Sequence, residues 1–435
     1  MGTRSTFGVA GRIAAYFVCG PSSQPILILL ALVACLPGCT SRSRYCAPPE
    51  LSRPSGLIQL SPTEDEFQPN ETDLLRAVTE RAQAPNDQAA VPARRSRVLV
   101  LSGGGMYGAY TVGVLSGWTT IGTRPEFDVV TGISTGAMIA NYAFLGTGYD
   151  RQMVETYTSI TNRDIYRKRL APAAFLNDAT ASSAPLKKMI EAQIDDQALA
   201  AVAQAHLAGR RLYVGTTNID TRRLVIWDMG AIATSGRPDA KELYRKVLLA
   251  SASPPGFLPP VPIEVEVNGR RFTELHVDGG ATTGVFLQAS TLNINREALK
   301  GGRQPLAGSD TYVIVAGKLY ADPSCTDRRA MSIGESALHS LIYSQTRSEL
   351  SRIHTLCLLS GMRFHMASIP EDMRIGGDMM SFDRDELRRL YDAGYAAATG
   401  GRAWRDTPPG GEPYEQIQPR TGNQFLAPSA NRPGG

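Results

Sequence analysis

An apolar tetrapeptide, Val98-Leu99-Val100-Leu101, runs directly into the glycine-rich segment Gly103-Gly104-Gly105-Met106-Tyr107-Gly108. A strand apolar at every position, not at alternate ones, must be covered on both faces, as strands of parallel sheets are. The glycines permit a sharp turn before a helical pattern that continues through Trp118. The same order recurs at Phe127-Asp128-Val129-Val130-Thr131, which leads into Gly132-Ile133-Ser134-Thr135-Gly136 and a helical stretch over 137–145. Further strands are expected at 211–217, 224–227, 272–277 and 311–316, with a helical pattern over 332–360. Strands alternating with helices predict an α/β domain with a largely parallel sheet. No internal repeat is present.

The N-terminus has a different character. Residues 1–24 carry two arginines and no acid, followed by an apolar run from Pro25 to Leu36 and then Pro37-Gly38-Cys39. That is the basic, apolar and small-residue order of a secretory signal. Twelve apolar residues rise about 18 Å as a helix, short of a ~30 Å hydrocarbon core. Leu36-Pro37-Gly38-Cys39 resembles the bacterial lipobox, which implies a signal peptide over 1–38 and lipidation of Cys39. Thr40 and Ser41 follow with no Asp, so in a Gram-negative host the expected address is the outer membrane. The match of Met1-Gly2-Thr3-Arg4-Ser5-Thr6 to a myristoylation pattern is taken as chance in front of an export signal. Residues 39–96, rich in Ser, Pro, Arg, Gln and Glu, read as a tether with one short helix around Glu71–Gln83. Residues 405–435, rich in Pro and Gly, read as a disordered tail.

The bulk numbers exclude more than they name. Hydrophobic residues make up 43% and charged residues 20%, enough for a buried core. Net charge is +4, and loss of Arg4 and Arg12 with the signal leaves about +2, with no basic stripe for nucleic acid. His206, His276, His339, His354 and His365 are scattered without metal-ligand spacing, so neither metal nor cofactor is expected. Cys46, Cys325 and Cys357 would remain in the exported chain, and a Cys325–Cys357 disulfide is one option that spacing alone does not establish.

Three segments could build one active site. Gly132-Ile133-Ser134-Thr135-Gly136 lies between a strand and a helix, where a nucleophilic serine needs small neighbours on a strained turn. The helix N-terminus there favours developing negative charge. Gly103, Gly105 and Gly108 also match the dinucleotide fingerprint G-x-G-x-x-G. That reading needs an acid at the end of the next strand, and Asp128 stands at its start. The alternative is that the glycines let backbone amides crowd an oxyanion. Asp278-Gly279-Gly280 follows the expected strand 272–277, either as a turn or as an exposed carboxylate. His276, two residues earlier on the same strand face, is the rival for a triad base. Met106, Tyr107, Phe257, Leu258, Phe286 and Leu287 either line an acyl pocket or belong to the core.

In this order the three segments resemble the patatin-like phospholipase family over roughly residues 97–400, within a domain expected to span 97–404. Ala250-Ser251-Ala252-Ser253-Pro254-Pro255-Gly256-Phe257 is similar to the family's segment before the aspartate strand. Tyr391-Asp392-Ala393-Gly394-Tyr395 is similar to its closing helix. The resemblance implies a patatin-like three-layer α/β/α fold and a lipid ester substrate. It also implies a dyad in which Ser134 attacks and Asp278 takes the proton, with Gly103–Gly108 amides as the oxyanion hole. Gly132, Gly136, Gly279 and Gly280 complete the motifs. Where the family usually has Arg or Lys, this chain has Tyr107, which touches head-group preference and activity level. Transfer of the acyl group to another acceptor, or a silent envelope lipoprotein that binds lipid or protein, remain the alternative functions.

Overall fold

The computed structural model describes residues 59–60, 95–170, 177–267, 270–288, 290–292, 306–322 and 325–410. Every described residue belongs to one compact unit. The expected signal peptide, Cys39, the helix at 71–83 and the tail beyond 410 therefore lie outside the described residues.

The elements run β1 (Gln59–Leu60), β2 (Arg97–Leu101), α1 (Gly108–Thr120), β3 (Val129–Ile133), α2 (Thr135–Leu145), α3 (Asp150–Ser159) and α4 (Asn162–Ile165). There follow β4 (Arg167–Lys168), β5 (Ala181–Ser182), α5 (Ala184–Gln193), α6 (Asp196–Leu207), β6 (Arg211–Asn218), β7 (Arg223–Asp228), α7 (Met229–Thr234) and α8 (Ala240–Ser251). The chain continues through β8 (Val261–Val267), β9 (Arg270–Asp278), β10 (Asp310–Val315), α9 (Ala330–Ser360), β11 (Arg363–Ser368) and α10 (Arg384–Thr399).

Among the described residues the main sheet has the order β1-β7-β6-β3-β2-β10-β11, with β9 also on β6 and β8 on β9. From β6 to β11 every neighbouring pair is parallel, while β7, β1, β9 and β8 pair antiparallel at the other side. The sheet is thus mostly parallel and flanked by helices, the α/β/α arrangement expected. Its central strands are covered on both faces. Leu99 and Leu101 of β2 join the core under α1, α2, α8 and α10, while Val98 and Val100 join a second core with Leu350, Ile353 and Leu356 of α9. Alternate side chains of a strand point to opposite faces, so double cover requires an apolar residue at each position.

Two boundaries differ from expectation. Gln59 and Leu60, placed by sequence in the tether, pair with Trp227 and Ile226 at the sheet edge. The chain is also still bound past 404. Trp404 packs edge-on to Trp118 at 4.7 Å, Arg405 exchanges backbone hydrogen bonds with Met366, and Asp406 meets His365 at 2.9 Å. Cys325 and Cys357 are both free, the first exposed and the second buried on the core side of α9, where burial pushes its thiol up to about 12. They form no disulfide.

Candidate active site

The site forms where two strands share one edge of β6. Parallel β3 pairs with β6 as far as Ile133 opposite Gly215. Antiparallel β9 takes over at the next residue, with Asp278 opposite Thr216. The C-terminal ends of β3 and β9 therefore meet head-on, and the residues leaving them, Ser134 and Asp278, are brought together although 144 positions separate them. Hydrogen bonding fixes the junction. The Ser134 amide donates to Ser251 Oγ at 3.0 Å, and that hydroxyl donates to the Gly215 carbonyl at 2.7 Å. The Asp278 amide donates to the Ser253 carbonyl at 2.8 Å. Ser251 and Ser253 are fully buried. The run Ala250–Phe257, singled out only as similar to a family segment, thus holds the backbone amides of both residues.

Ser134 adopts φ 54°, ψ −126°, a region unfavourable for any residue with a Cβ, where strain of about 1–3 kcal/mol persists only if neighbours enforce it. They do. A methyl group on Gly132 would stand 2.5 Å from the Gly136 carbonyl oxygen, and one on Gly136 would stand 2.4 Å from that of Ser102. The turn closes only with hydrogen at both places. It places the serine at the N-terminus of α2, whose first-turn amides point outward.

The glycine loop lies against this turn. A methyl on Gly103 would sit 3.1 Å from Ser134 Cβ, and one on Gly108 would sit 2.5 Å from Thr135 Oγ1. Gly104 and Gly105 have φ 157° and 55°, and a Cβ on them would strike the carbonyl oxygens of Ala316 and Met379 at 1.9 and 2.0 Å. The six amides expected to serve together as an oxyanion hole are not equivalent. Gly103 donates to Gly284 O, Met106 to Met379 O, Tyr107 to Gly104 O, and Gly108 to carbonyls of its own turn. Among the described residues the Gly104 and Gly105 amides have no hydrogen-bond acceptor.

Asp278 is 6% exposed. Burial pushes its carboxyl up to about 6, with the Ser134 hydroxyl and the Gly280 amide pulling it partly back. The Gly280 amide donates to Asp278 Oδ1 at 2.7 Å. Gly279 is tight as well, since a methyl there would lie 2.7 Å from the Gly215 carbonyl oxygen. A hydroxyl facing a poorly solvated carboxylate can pass it a proton, because loss of solvation makes the carboxylate a stronger base.

The rival residues go elsewhere. His276 is buried, with Nδ1 2.9 Å from Thr216 Oγ1 and Nε2 3.1 Å from Glu274 Oε2, edge-on to Trp227. Both nitrogens are engaged away from Ser134. Asp128 accepts the Arg97 amide at the start of β2, the opposite end of the sheet from the glycine loop. Met106 and Leu258 are in the main core, Leu287 in the second, and Phe286 in a third cluster with Ile133 and Tyr213, so they do not share one pocket. Tyr107 is half-buried, its phenol pushed up to about 12, first by burial and then by Tyr343, Asp378, Glu386 and Asp322. A separate cleft behind α2, lined by Asn141, Tyr142, Tyr149 and Tyr244 among others, contains neither Ser134 nor Asp278.

With this geometry in view, the family model for patatin-like phospholipase matches residues 99–289, from β2 to just beyond the Asp278 turn. Residues 99–289 therefore carry a patatin-like phospholipase domain. The matched span contains Ser134, Asp278 and the glycine loop, and the match supports a domain of the lipid hydrolase family. No curated protein matches the chain. Among solved structures, that of VipD from Legionella pneumophila overlaps 69% of this chain and 67% of its own, at 13% identity and a TM-score of 0.27. A likeness that low bears on neither fold nor function.

Proposed function

We propose that the protein hydrolyses a carboxylic ester of a membrane lipid, a phospholipid acyl chain in the first place, through a Ser134–Asp278 dyad. The observation that carries this is the strained Ser134 turn facing a dry carboxylate, beside two amides without partners.

Asp278 accepts the Ser134 proton as Oγ bonds to the ester carbonyl carbon. The carbonyl oxygen becomes an oxyanion held by the Gly104 and Gly105 amides, where preorganised donors stabilise charge most. Collapse breaks the bond to the alcohol, which leaves with the proton from Asp278, and the acyl chain stays on Ser134. Water then gives a proton to Asp278 and attacks the acyl carbon. The fatty acid departs as Ser134 recovers its proton. Ionised Asp278 starts the cycle, so activity rises with pH through about 6. Tyr107 offers a neutral phenol where a cation would have drawn a phosphate, a difference that favours zwitterionic or uncharged head groups.

Cys39 completes the reading as the lipidated first residue of the exported chain, holding the enzyme at the envelope, in the outer membrane of a Gram-negative host. Fatty acid release from phosphatidylcholine by wild type, absent in Ser134→Ala, tests the activity. Equal release by both proteins would end it. Incorporation of labelled palmitate, lost in Cys39→Ala, tests the anchor.

A further inference from the structure

The first half of α9 is amphipathic in the reverse sense. In a water-soluble protein a helix turns its apolar side inward. Here Ile333, Leu338 and Leu341 are 54%, 57% and 66% exposed, whereas Ser332 and Ser336 are half-buried and the Ser336 hydroxyl meets that of Thr326 at 3.1 Å. Ile333, Ala337 and Leu341 follow one another at four-residue spacing with Leu338 beside them, so they form one continuous strip. Past Ile342 the same helix enters the second core, where Leu350 and Ile353 are buried.

The place where the strip meets the fold is the candidate site. Gln345 donates to the Thr282 carbonyl just past the Asp278 turn. Thr346 lies beside Gly284, whose carbonyl holds the Gly103 amide. Exposed Arg328 and Arg329 mark the outer end of the helix, and half-exposed Tyr320, under the Arg347 guanidinium at 4.6 Å, marks the inner one. An uncharged apolar strip that begins beside the Ser134–Asp278 site and ends in two arginines fits a lipid surface, with leucines among the acyl chains and arginines at the head groups.

We propose that residues 330–342 insert into the surface of aggregated lipid and bring the site to its substrate there, so that the enzyme favours bilayer lipid over dissolved esters. This rests on the lipid hydrolase reading for its consequence in turnover, though insertion itself does not need it.

The full chain is tested with phosphatidylcholine vesicles. Wild type and variants carry the same N-terminal segment, so differences between them belong to the helix. Tryptophan at the strip, Leu341→Trp, is expected to be quenched by vesicles containing doxyl-labelled lipid, and His339→Trp, on the other side of the helix, much less. Leu338→Glu/Leu341→Glu is expected to lower vesicle hydrolysis roughly tenfold or more while p-nitrophenyl butyrate turnover stays within about twofold. Unquenched Leu341→Trp, or equal loss on both substrates, overturns the proposal. So does a wild-type dimer that the double glutamate variant dissociates without changing vesicle hydrolysis, because a second copy then covers the strip. Absence of any ester hydrolysis by wild type, with Leu341→Trp still quenched, overturns the hydrolase reading and leaves the insertion standing.

Discussion

The Ser134 turn and the Asp278 turn end neighbouring strands on the same edge of β6, yet they carry their cost in different forms. Ser134 stores it in the backbone, at φ 54°, fenced by glycines that no larger residue can replace. Asp278 has a relaxed backbone, φ −49° and ψ 133°, and stores its cost as a carboxylate with little water around it. Strain holds the serine on its sharp turn, and desolvation makes the ionised carboxylate more basic. One part of the site was prepared by geometry and the other by electrostatics, so substitutions should separate them.

The largest effect is expected at the serine. Ser134→Ala should lower ester turnover by about 10⁴-fold or more, since the proposed nucleophile is removed. Asp278→Asn should cost about 10³-fold in kcat, and here the comparison predicts an opposite movement in stability. The carboxyl loses its proton near pH 4 when unfolded and near pH 6 when folded, so stability falls as pH rises through that window. Above pH 6 the folded protein carries the full burden, about 3 kcal/mol for a shift of roughly two units. Asp278→Asn should therefore raise Tm above pH 6 and give no gain below about pH 4. A Tm unchanged at pH 8 would remove the electrostatic half of the contrast.

Gly132→Ala should destabilise by about 3 kcal/mol or more in denaturant titration, because the added methyl meets backbone that has no room to yield. Ser251→Ala, which leaves the Ser134 amide and the Gly215 carbonyl unpartnered in a buried place, should cost about 1–3 kcal/mol and roughly tenfold in kcat. The smallest effect sharpens the backbone half. Ser134→Gly should be more stable than Ser134→Ala by about 1 kcal/mol, since glycine occupies positive φ without a Cβ clash. Equal stability would mean the turn holds little strain.

Much of the arrangement was legible in the chain, and what was not has a physical cause. Strands β2 and β10 announced themselves because double burial forces unbroken apolar runs, Val98–Leu101 and Tyr312–Val315. Strand β11, Arg363-Phe-His-Met-Ala-Ser368, lies at the sheet edge and carries a polar residue at half its positions, so no run betrays it. The Gly103–Gly108 amides looked alike as letters, and only the fold showed that those of Gly103, Met106, Tyr107 and Gly108 already hold carbonyls. Ser251 gave no chemical signal of its own, because a buried serine that holds another residue's amide looks like any serine. His276 sat on the same strand face as Asp278, as spacing required, but the face alone did not say that Thr216 and Glu274 would occupy its ring.

What the sequence by itself determined was local: doubly buried strands, glycines where no side chain fits, a serine on a strand-to-helix turn, and with these the family. Which residues meet was decided by tertiary structure. The β3 and β9 ends come together only because β6 offers one edge to both in succession. Whether an amide is occupied, a carboxylate dry or a leucine strip bare depends on neighbours hundreds of residues away. Those neighbours set solvation and hydrogen bonding, and the order of the chain does not record them.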